Sequence, residues 1–278
     1  LSDLENGLTA VIPIRLLDES TFQTKGVILE ALENGLEILL VVNNQSNEEK
    51  LAIKDHFSDV VHGNFRLLQD DIESPGSARN LGLAACRTAY ITFWDSDDVP
   101  VVSQVKGLLR LLSLDPQKKY GVGSFEIVMS GTENIIDRHI FSKDEQNTDQ
   151  LVKNPGIWRW IFLKDALVGT KFQEFSMGED QDFIADLDPK ESEIIYSSAV
   201  TYKYVKGCST QLTQNQKFID EILISIGYLA QKIKKCQANE WHKNFLRRQI
   251  LTAIKRGSWN IKIKATIVAV KVVWAYVE

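Results

Sequence analysis

Two short apolar runs, Thr9–Ile14 and Leu36–Val42, bracket a segment in which Val27, Ile28, Ala31 and Leu32 recur at helical spacing. Strand, helix, strand in that order is a βαβ unit, and it commits the chain to parallel strands in an α/β fold. The second run ends in the polar cluster 43–47, where a strand gives way to a loop.

The alternation continues. A third strand is expected near Asn64–Leu68. The loop Glu73-Ser-Pro-Gly-Ser77 then opens a helix over Ala78–Arg87, which leads into the strand Ala89–Trp94. After Pro100, the residues Val101, Val102, Val105, Leu108, Leu109 and Leu112 form one apolar stripe, so a helix is predicted with Pro100 in its first turn. Gly121–Ser130 and Ile135–Phe141 read as an antiparallel pair, and Ser142–Pro155 as a polar, mobile loop. A helix is expected over Trp160–Leu167, a strand over Ile194–Tyr204, and an amphipathic helix carrying Phe218, Ile219, Ile222, Leu223, Ile226 and Ile233. No internal repeat or low-complexity tract interrupts the pattern.

With 278 residues, 44% hydrophobic and 25% charged, the composition is that of a globular protein and excludes disordered, collagen-like or repeat-array chains. The net charge of −5 conceals a division. From Gln214 onward there are 12 Lys and Arg against 4 Asp and Glu, a net +8; the remainder has 20 against 33, a net −13. A dedicated nucleic-acid binder is not expected from an acidic total. Cys86, Cys208 and Cys236 are odd in number and in no metal or redox spacing, which fits a reducing compartment. No signal sequence is visible, and the apolar stretch Ala265–Val277 falls short of the roughly 20 residues that cross a bilayer. The expected location is the cytoplasm, at the inner face of the cytoplasmic membrane.

Two carboxylate clusters carry the chemistry. Asp95-Ser-Asp-Asp98 follows a hydrophobic strand, and strand alternation puts Asp95 and Asp97 on one side at the carboxyl end of the sheet, where open α/β folds bind ligands. Carboxylates this dense repel unless a cation neutralises them, and hard oxygen ligands suit Mg²⁺ or Mn²⁺ bridging to phosphates. The competing assignment is a helix cap, Asp97 or Asp98 capping the helix after Pro100. The second cluster, Met177-Gly-Glu-Asp-Gln-Asp182, is either a solvated helix start or a catalytic base. A Gly loop with Arg79, a strand ending in D-x-D and a later E-D pair together supply a charge clamp, a metal site and a base.

The segments Ile12-Pro-Ile14, 41–47, 76–82, 90–98, 154–158 and 178–183 resemble, in order and spacing, the successive motifs of family 2 glycosyltransferases with the GT-A fold, over roughly residues 9–212. The resemblance implies a mixed, mainly parallel Rossmann-like sheet flanked by helices. The catalytic domain would span 1–213, with a nucleotide-binding half at about 1–98 and an acceptor half at about 99–213. A basic, mainly helical C-terminal extension would span 214–278. It further implies that Pro13, Arg15, Asn43, Asn44, Arg79, Asp95 and Ser96 bind the nucleotide-sugar, with Arg79 reaching the diphosphate or holding the metal-site carboxylates. Asp97 would bind the divalent metal, Mn²⁺ or Mg²⁺. Asp180 would be the general base, with Glu179 and Trp158 orienting the acceptor. The implied reaction is metal-dependent, inverting transfer of a sugar from a UDP-sugar to a hydroxyl of a glycan or lipid-linked oligosaccharide.

The pattern breaks at two places. Asn43-Asn-Gln-Ser46 stands where the family usually has Asp-Asp-Gly-Ser; an Asn carbonyl still accepts from a base N–H, so uracil remains the expected base. Lys206 stands near where many relatives carry a metal-binding histidine; it neutralises diphosphate or lies on the surface. These departures motivate the rival reading, a degenerate relative that binds glycan or a partner transferase. Nucleotidyltransferases and NAD-dependent enzymes would want glycines after the first strand, which Arg15-Leu-Leu-Asp-Glu19 lacks. His56, His62, His139 and His242 match no metal spacing, and Trp158 and Trp160 are candidates for stacking on sugar faces or for the core.

In the basic tail, lysines and arginines alternate with Trp241, Phe245, Trp259, Trp274 and Tyr276, a composition suited to an anionic membrane surface. The alternative is a set of solvated helix faces packed on the catalytic domain or on a second copy of the chain. Ile261-Lys-Ile-Lys264 could begin a strand.

Overall fold

The computed structural model describes residues 7–44, 46–72, 74–132, 134–141, 148–207 and 216–275. Expectations resting on Glu73, on 142–147, on Cys208, on Tyr276 and on the side chains of Phe218, Ile219 and Trp274 lie outside the described residues.

The first half alternates as the sequence dictates. Strand β1 (Leu8–Ile14) leads to helix α1 (Glu19–Glu33), β2 (Glu37–Asn43), α2 (Asn47–His56), β3 (Phe65–Asp70), α3 (Pro75–Ala85) and β4 (Tyr90–Phe93). β1 pairs in parallel with both β2 and β4, and β2 with β3. The polar residues between strand and helix serve as caps. Asp18 closes a capping box with Thr21, and Ser46 and Ser74 cap α2 and α3. The Ser74-Pro75 pair starts α3 three residues before the apolar spacing alone predicts, because Pro is preorganised for the first helical position.

Next come β5 (Val99–Pro100), α4 (Val102–Ser113), β6 (Tyr120–Met129), β7 (Ile135–His139), α5 (Thr148–Lys153), β8 (Trp160–Leu163), α6 (Glu179–Leu187) and β9 (Ile194–Lys206). The sheet order is β3-β2-β1-β4-β8-β6-β9-β5, with β7 on β6. β8 joins the two halves antiparallel to both β4 and β6, while β6 and β9 run parallel. Three α-helices, α7 (Gln216–Lys234), α8 (Glu240–Arg256) and α9 (Trp259–Ala275), complete the described chain. The mixed sheet flanked by helices, with a helical C-terminal part, is the architecture expected from the sequence.

Five local expectations are corrected. Residues 160–167 begin as strand β8 and only then form a 3₁₀ turn, since Trp160–Leu163 is an apolar run of strand length that the sheet takes up between β4 and β6. Pro100 pairs with Tyr202 in a two-residue strand instead of opening the helix. The cap of α4 is Val101, with no side-chain hydrogen bond, so neither Asp97 nor Asp98 is a helix cap. Part of the polar stretch 142–155 forms α5, and Ile261–Lys264 lies in α9.

Strand alternation sorts two cores onto the two faces of the sheet. Ala10, Ile12, Ile14, Ile38, Leu40 and Val42 face α1 and α4, through Val27, Ile28, Val105 and Leu108. Val11, Leu39, Val41, Ile91 and Phe93 belong to the other core, which also takes in Phe183 and Ile184 of α6, Ile222, Ile226 and Leu229 of α7, Phe245 and Leu246 of α8 and Ile261 of α9. The basic C-terminal helices therefore share a core with the sheet. α3 lies against β1 closely enough that a Cβ on Gly82 would overlap the Val11 side chain. Gly82→Ala should lower stability by about 1–3 kcal/mol through overpacking, measured as a reduced urea midpoint at unchanged m-value.

Candidate active site

The carboxyl ends of β1, β2 and β4 open into a cavity of about 850 Å³, lined among others by Pro13, Arg15, Asn43, Arg79, Asp95, Ser96, Asp97, Trp158, Glu179 and Asp180. Ten of the eleven residues singled out from sequence thus meet in one place. The exception is Asn44, buried and committed to the chain: its amide donates to the Arg15 carbonyl (2.8 Å) and its carbonyl accepts from Ser46 N–H (2.7 Å). Asn44 ties the loop after β2 to the loop after β1. Asn43, 4% exposed, also lines the cavity, and its buried carbonyl oxygen has no hydrogen-bond partner among the described residues.

The D-x-D loop is held from three sides. Trp94 N–H donates to the Val11 carbonyl, Asp95 N–H to the Tyr202 hydroxyl (3.0 Å), and Thr24 of α1 donates to the Ser96 carbonyl. Asp98 is not available to a ligand: it is 3% exposed and accepts from Val205 N–H at 2.7 Å. Burial, reinforced by Asp97 and Asp95, pushes its carboxyl well above the usual range. Asp95 and Asp97 remain at the cavity wall.

Arg79, 5% exposed, joins the two acidic motifs. Its Nη2 donates to Asp95 at 2.8 Å and its Nη1 to Glu179 at 2.7 Å. Of the two roles implied for Arg79, this geometry is that of the carboxylate clamp. Burial opposes its charge, but Asp95 and Glu179 outweigh that and raise its pKa. Burial also pushes Glu179 up to about 7 against the pull of Arg79, and raises Asp180 above an ordinary aspartate.

The E-D pair stands in the first turn of α6, capped by Gly178 at φ +91°. Only glycine suits this position on two counts. The conformation is left-handed, and a Cβ would lie 2.7 Å from the Ser225 hydroxyl of α7. That hydroxyl lies within 2.9 and 2.8 Å of both Asp182 oxygens and 2.7 Å of Gln249 of α8. Asp182 is fully buried, and burial raises its pKa well above normal. The helix bearing the candidate base is thus pinned to the C-terminal helices.

Trp158 reaches the cavity with 8% of its surface exposed, its ring stacked on Tyr202 (4.4 Å between centroids) and crowded by Gly156. Behind it, Arg159 donates to the Asn154 carbonyl and lies 4.9 Å over the rings of Phe125 and Phe141; burial lowers its pKa to about 9. Trp160 is fully buried beside Phe162 and belongs to the core, so it cannot stack on a sugar. Lys206 is exposed at the end of β9 and away from the cavity lining. None of the histidines lines the cavity, and His242 is buried against Asp186. Sequence reasoning missed one wall: Arg248, Thr252, Lys255 and Arg256 of α8 also line the cavity. Their spacing puts them on one helical face, a signal present in the sequence but assigned there to a membrane or partner.

Removing the shared cation exposes the dependence of the site on it. Arg79→Met leaves Glu179 buried without a counter-charge and should cost about 3–5 kcal/mol of stability in urea denaturation.

Residues 21–167 match the family model described as Glycosyl transferase family 2, more than half of the chain. No curated protein matches the sequence. Similar solved structures include the crystal structure of S. aureus TarS residues 1–349, with a TM-score of 0.63 at 15% identity, covering 90% of this chain and 73% of that one. The same fragment in complex with UDP-GlcNAc gives 0.61 at 14% identity, and in complex with UDP 0.61 at 16%, with the same coverage. At these identities the structural likeness establishes the GT-A fold, and the family match establishes membership: the chain belongs to glycosyl transferase family 2 and is a nucleotide-sugar glycosyltransferase.

Proposed function

We propose that the protein transfers a sugar from a UDP-sugar to a hydroxyl of a glycan or lipid-linked oligosaccharide, with metal dependence and inversion at the anomeric carbon. The observation that carries this reading is the continuous chain Asp95–Arg79–Glu179, which sets Asp180 at the cavity wall beside the D-x-D loop. Asn43 lines the cavity together with Pro13 and Arg15, and its side-chain amide carries the donor and acceptor that a uracil edge requires. The UDP and UDP-GlcNAc bound by the TarS fragments support the choice of uridine.

Among the described residues no group of three or more His, Cys, Asp or Glu could hold a metal. The donor set nevertheless fits Mg²⁺ or Mn²⁺, which bind through one or two carboxylates and fill their remaining positions with substrate phosphates and water. Asp97, with Asp95 beside it, would hold the ion, which neutralises charge on the departing diphosphate. Asp180 accepts the acceptor proton as the new C–O bond forms at the anomeric carbon and the bond to the diphosphate breaks. Attack from the face opposite the leaving group inverts the configuration. A raised pKa makes Asp180 a better base provided it is ionised at the working pH. Glu179 holds Arg79 in place and orients the acceptor, while Trp158 shapes the wall the acceptor meets.

Asp180→Asn should lower kcat by about 10²–10⁴-fold with UDP binding retained, read as sugar transfer and calorimetry in parallel. Asp97→Asn should remove the Mn²⁺ dependence of UDP affinity. Because the active forms of Asp180 and Glu179 are the ionised ones, kcat/KM should fall as the pH drops below about 7, the value to which burial raises Glu179. A flat profile from pH 8 to 5 contradicts the assignment.

The proposal divides the chain at 213/214 by role, catalysis before and substrate or surface attachment after. No helix among the described residues is long and apolar enough to cross a membrane. Attachment to an anionic inner membrane surface is assigned to the outward side of α9. There Trp259, Ile263, Ile267 and Val270 are exposed on one face, with Lys264 and Lys271 on one flank and Lys262 on the other. Replacing Trp259 and Ile263 by serine should abolish sedimentation with phosphatidylserine vesicles; unchanged sedimentation refutes this assignment.

A further inference from the structure

The wall formed by α8 bears on the acceptor. Arg248, Thr252 and Lys255 recur at i, i+4 and i+7 on its cavity side, continuing toward the C-terminus the stripe that begins with the buried Trp241 and Phe245. Among the described residues, Arg248 is held by neutral oxygens at the long end of hydrogen bonding: the Lys153 carbonyl and the Gln181 side chain, each at 3.3 Å. Neither Arg248 nor Lys255 forms an ion pair with a described side chain. Burial depresses the Arg248 pKa, with Asp180 supplying an attraction that offsets only part of the cost. A half-buried guanidinium with no carboxylate contact among the described residues can donate two parallel hydrogen bonds to an incoming anion.

The contacts also order the cavity. Asp95 touches Arg79, Arg79 touches Glu179, Asp180 and Gln181 follow in sequence, and Gln181 touches Arg248. The base therefore stands between the D-x-D carboxylates at the donor end and the cations of α8. Glu221 of α7 also lines the cavity, and its charge disfavours an anion that moves away from α8.

We infer that the acceptor is an anionic glycan or polyol, whose phosphodiester or carboxylate group, next to the accepting hydroxyl, is held by Arg248 and Lys255. This inference rests on the transferase reading above and names the acceptor class for it. Calorimetry with the full chain saturated with UDP and Mn²⁺ tests it with three probes: a glycerol phosphate oligomer, an oligogalacturonate and a neutral maltooligosaccharide. One anionic probe should bind about tenfold more tightly than the neutral one, and the stronger of the two distinguishes phosphate from carboxylate. Arg248→Gln and Lys255→Gln should each weaken that probe by about three- to tenfold, and raised salt should do the same. Lys255 is exposed, so its replacement leaves folding out of the question. Neutral and anionic probes binding alike, or glutamine variants binding the anionic probe as the parent does, overturn the inference. So does a loss that falls on UDP affinity instead. Failure of the parent protein to bind UDP overturns the transferase reading itself and takes this inference with it.

Discussion

One guanidinium organises this protein. Arg79 reaches Asp95 after β4 and Glu179 at the start of α6, groups 16 and 100 residues away in sequence. Without it, three carboxylates would converge on a buried space with nothing to offset their repulsion and desolvation. With it, the D-x-D loop and the E-D helix hold one spacing, and Asp180 is left at the wall with a raised pKa instead of being consumed in an ion pair. The other constraints support this one. Asp98 is buried against Val205 N–H, Gly178 admits the close approach of Ser225, and the stacked rings of Phe172 and Phe183 (3.9 Å) pack beneath the clamp, with Phe172 under the Arg79 guanidinium.

The C-terminal helices are part of that support. Ser225 and Gln249 enclose the buried Asp182, and Asp186 is held by Tyr228, Lys232 and His242. Helix α6 is therefore clamped on both sides of its acidic face, by Arg79 at the active site and by α7 and α8 behind. The basic charge of this segment is distributed by helix geometry: one face of α8 enters the cavity, while the lysines of α9 flank an outward apolar stripe. A single sum of +8 treats as one property two surfaces that face different ways, one into the cavity and one outward.

Errors of reading from sequence have physical causes that particular residues show. Trp160 and Trp158 are two residues apart and chemically alike, yet one is core and the other touches the cavity. β8 inserts between β4 and β6, and only the pairing partners decide which strand is interior. Pro100 has a helix-start signature, but Val99 and Pro100 are captured by β9. Asn43 and Asn44 are adjacent and identical in type; the first ends β2 and lines the cavity, while the second, just past the strand, bonds Arg15 and Ser46. For Trp160 and Pro100, local preference was outweighed by a long-range contact.

The sequence by itself determined the parallel βαβ half and the positions of both acidic motifs through short-range rules, namely apolar periodicity, capping residues and the placing of loops at strand ends. The remaining residues expected at the cavity followed from the resemblance to family 2 motifs. Tertiary structure alone decided that Arg79 would bind carboxylates, that Asp98 would be buried as a strut, and that α8 would form a cavity wall. Those outcomes depend on which charges lose water together and which partners they then find, and no spacing along the chain encodes a distance across 100 residues.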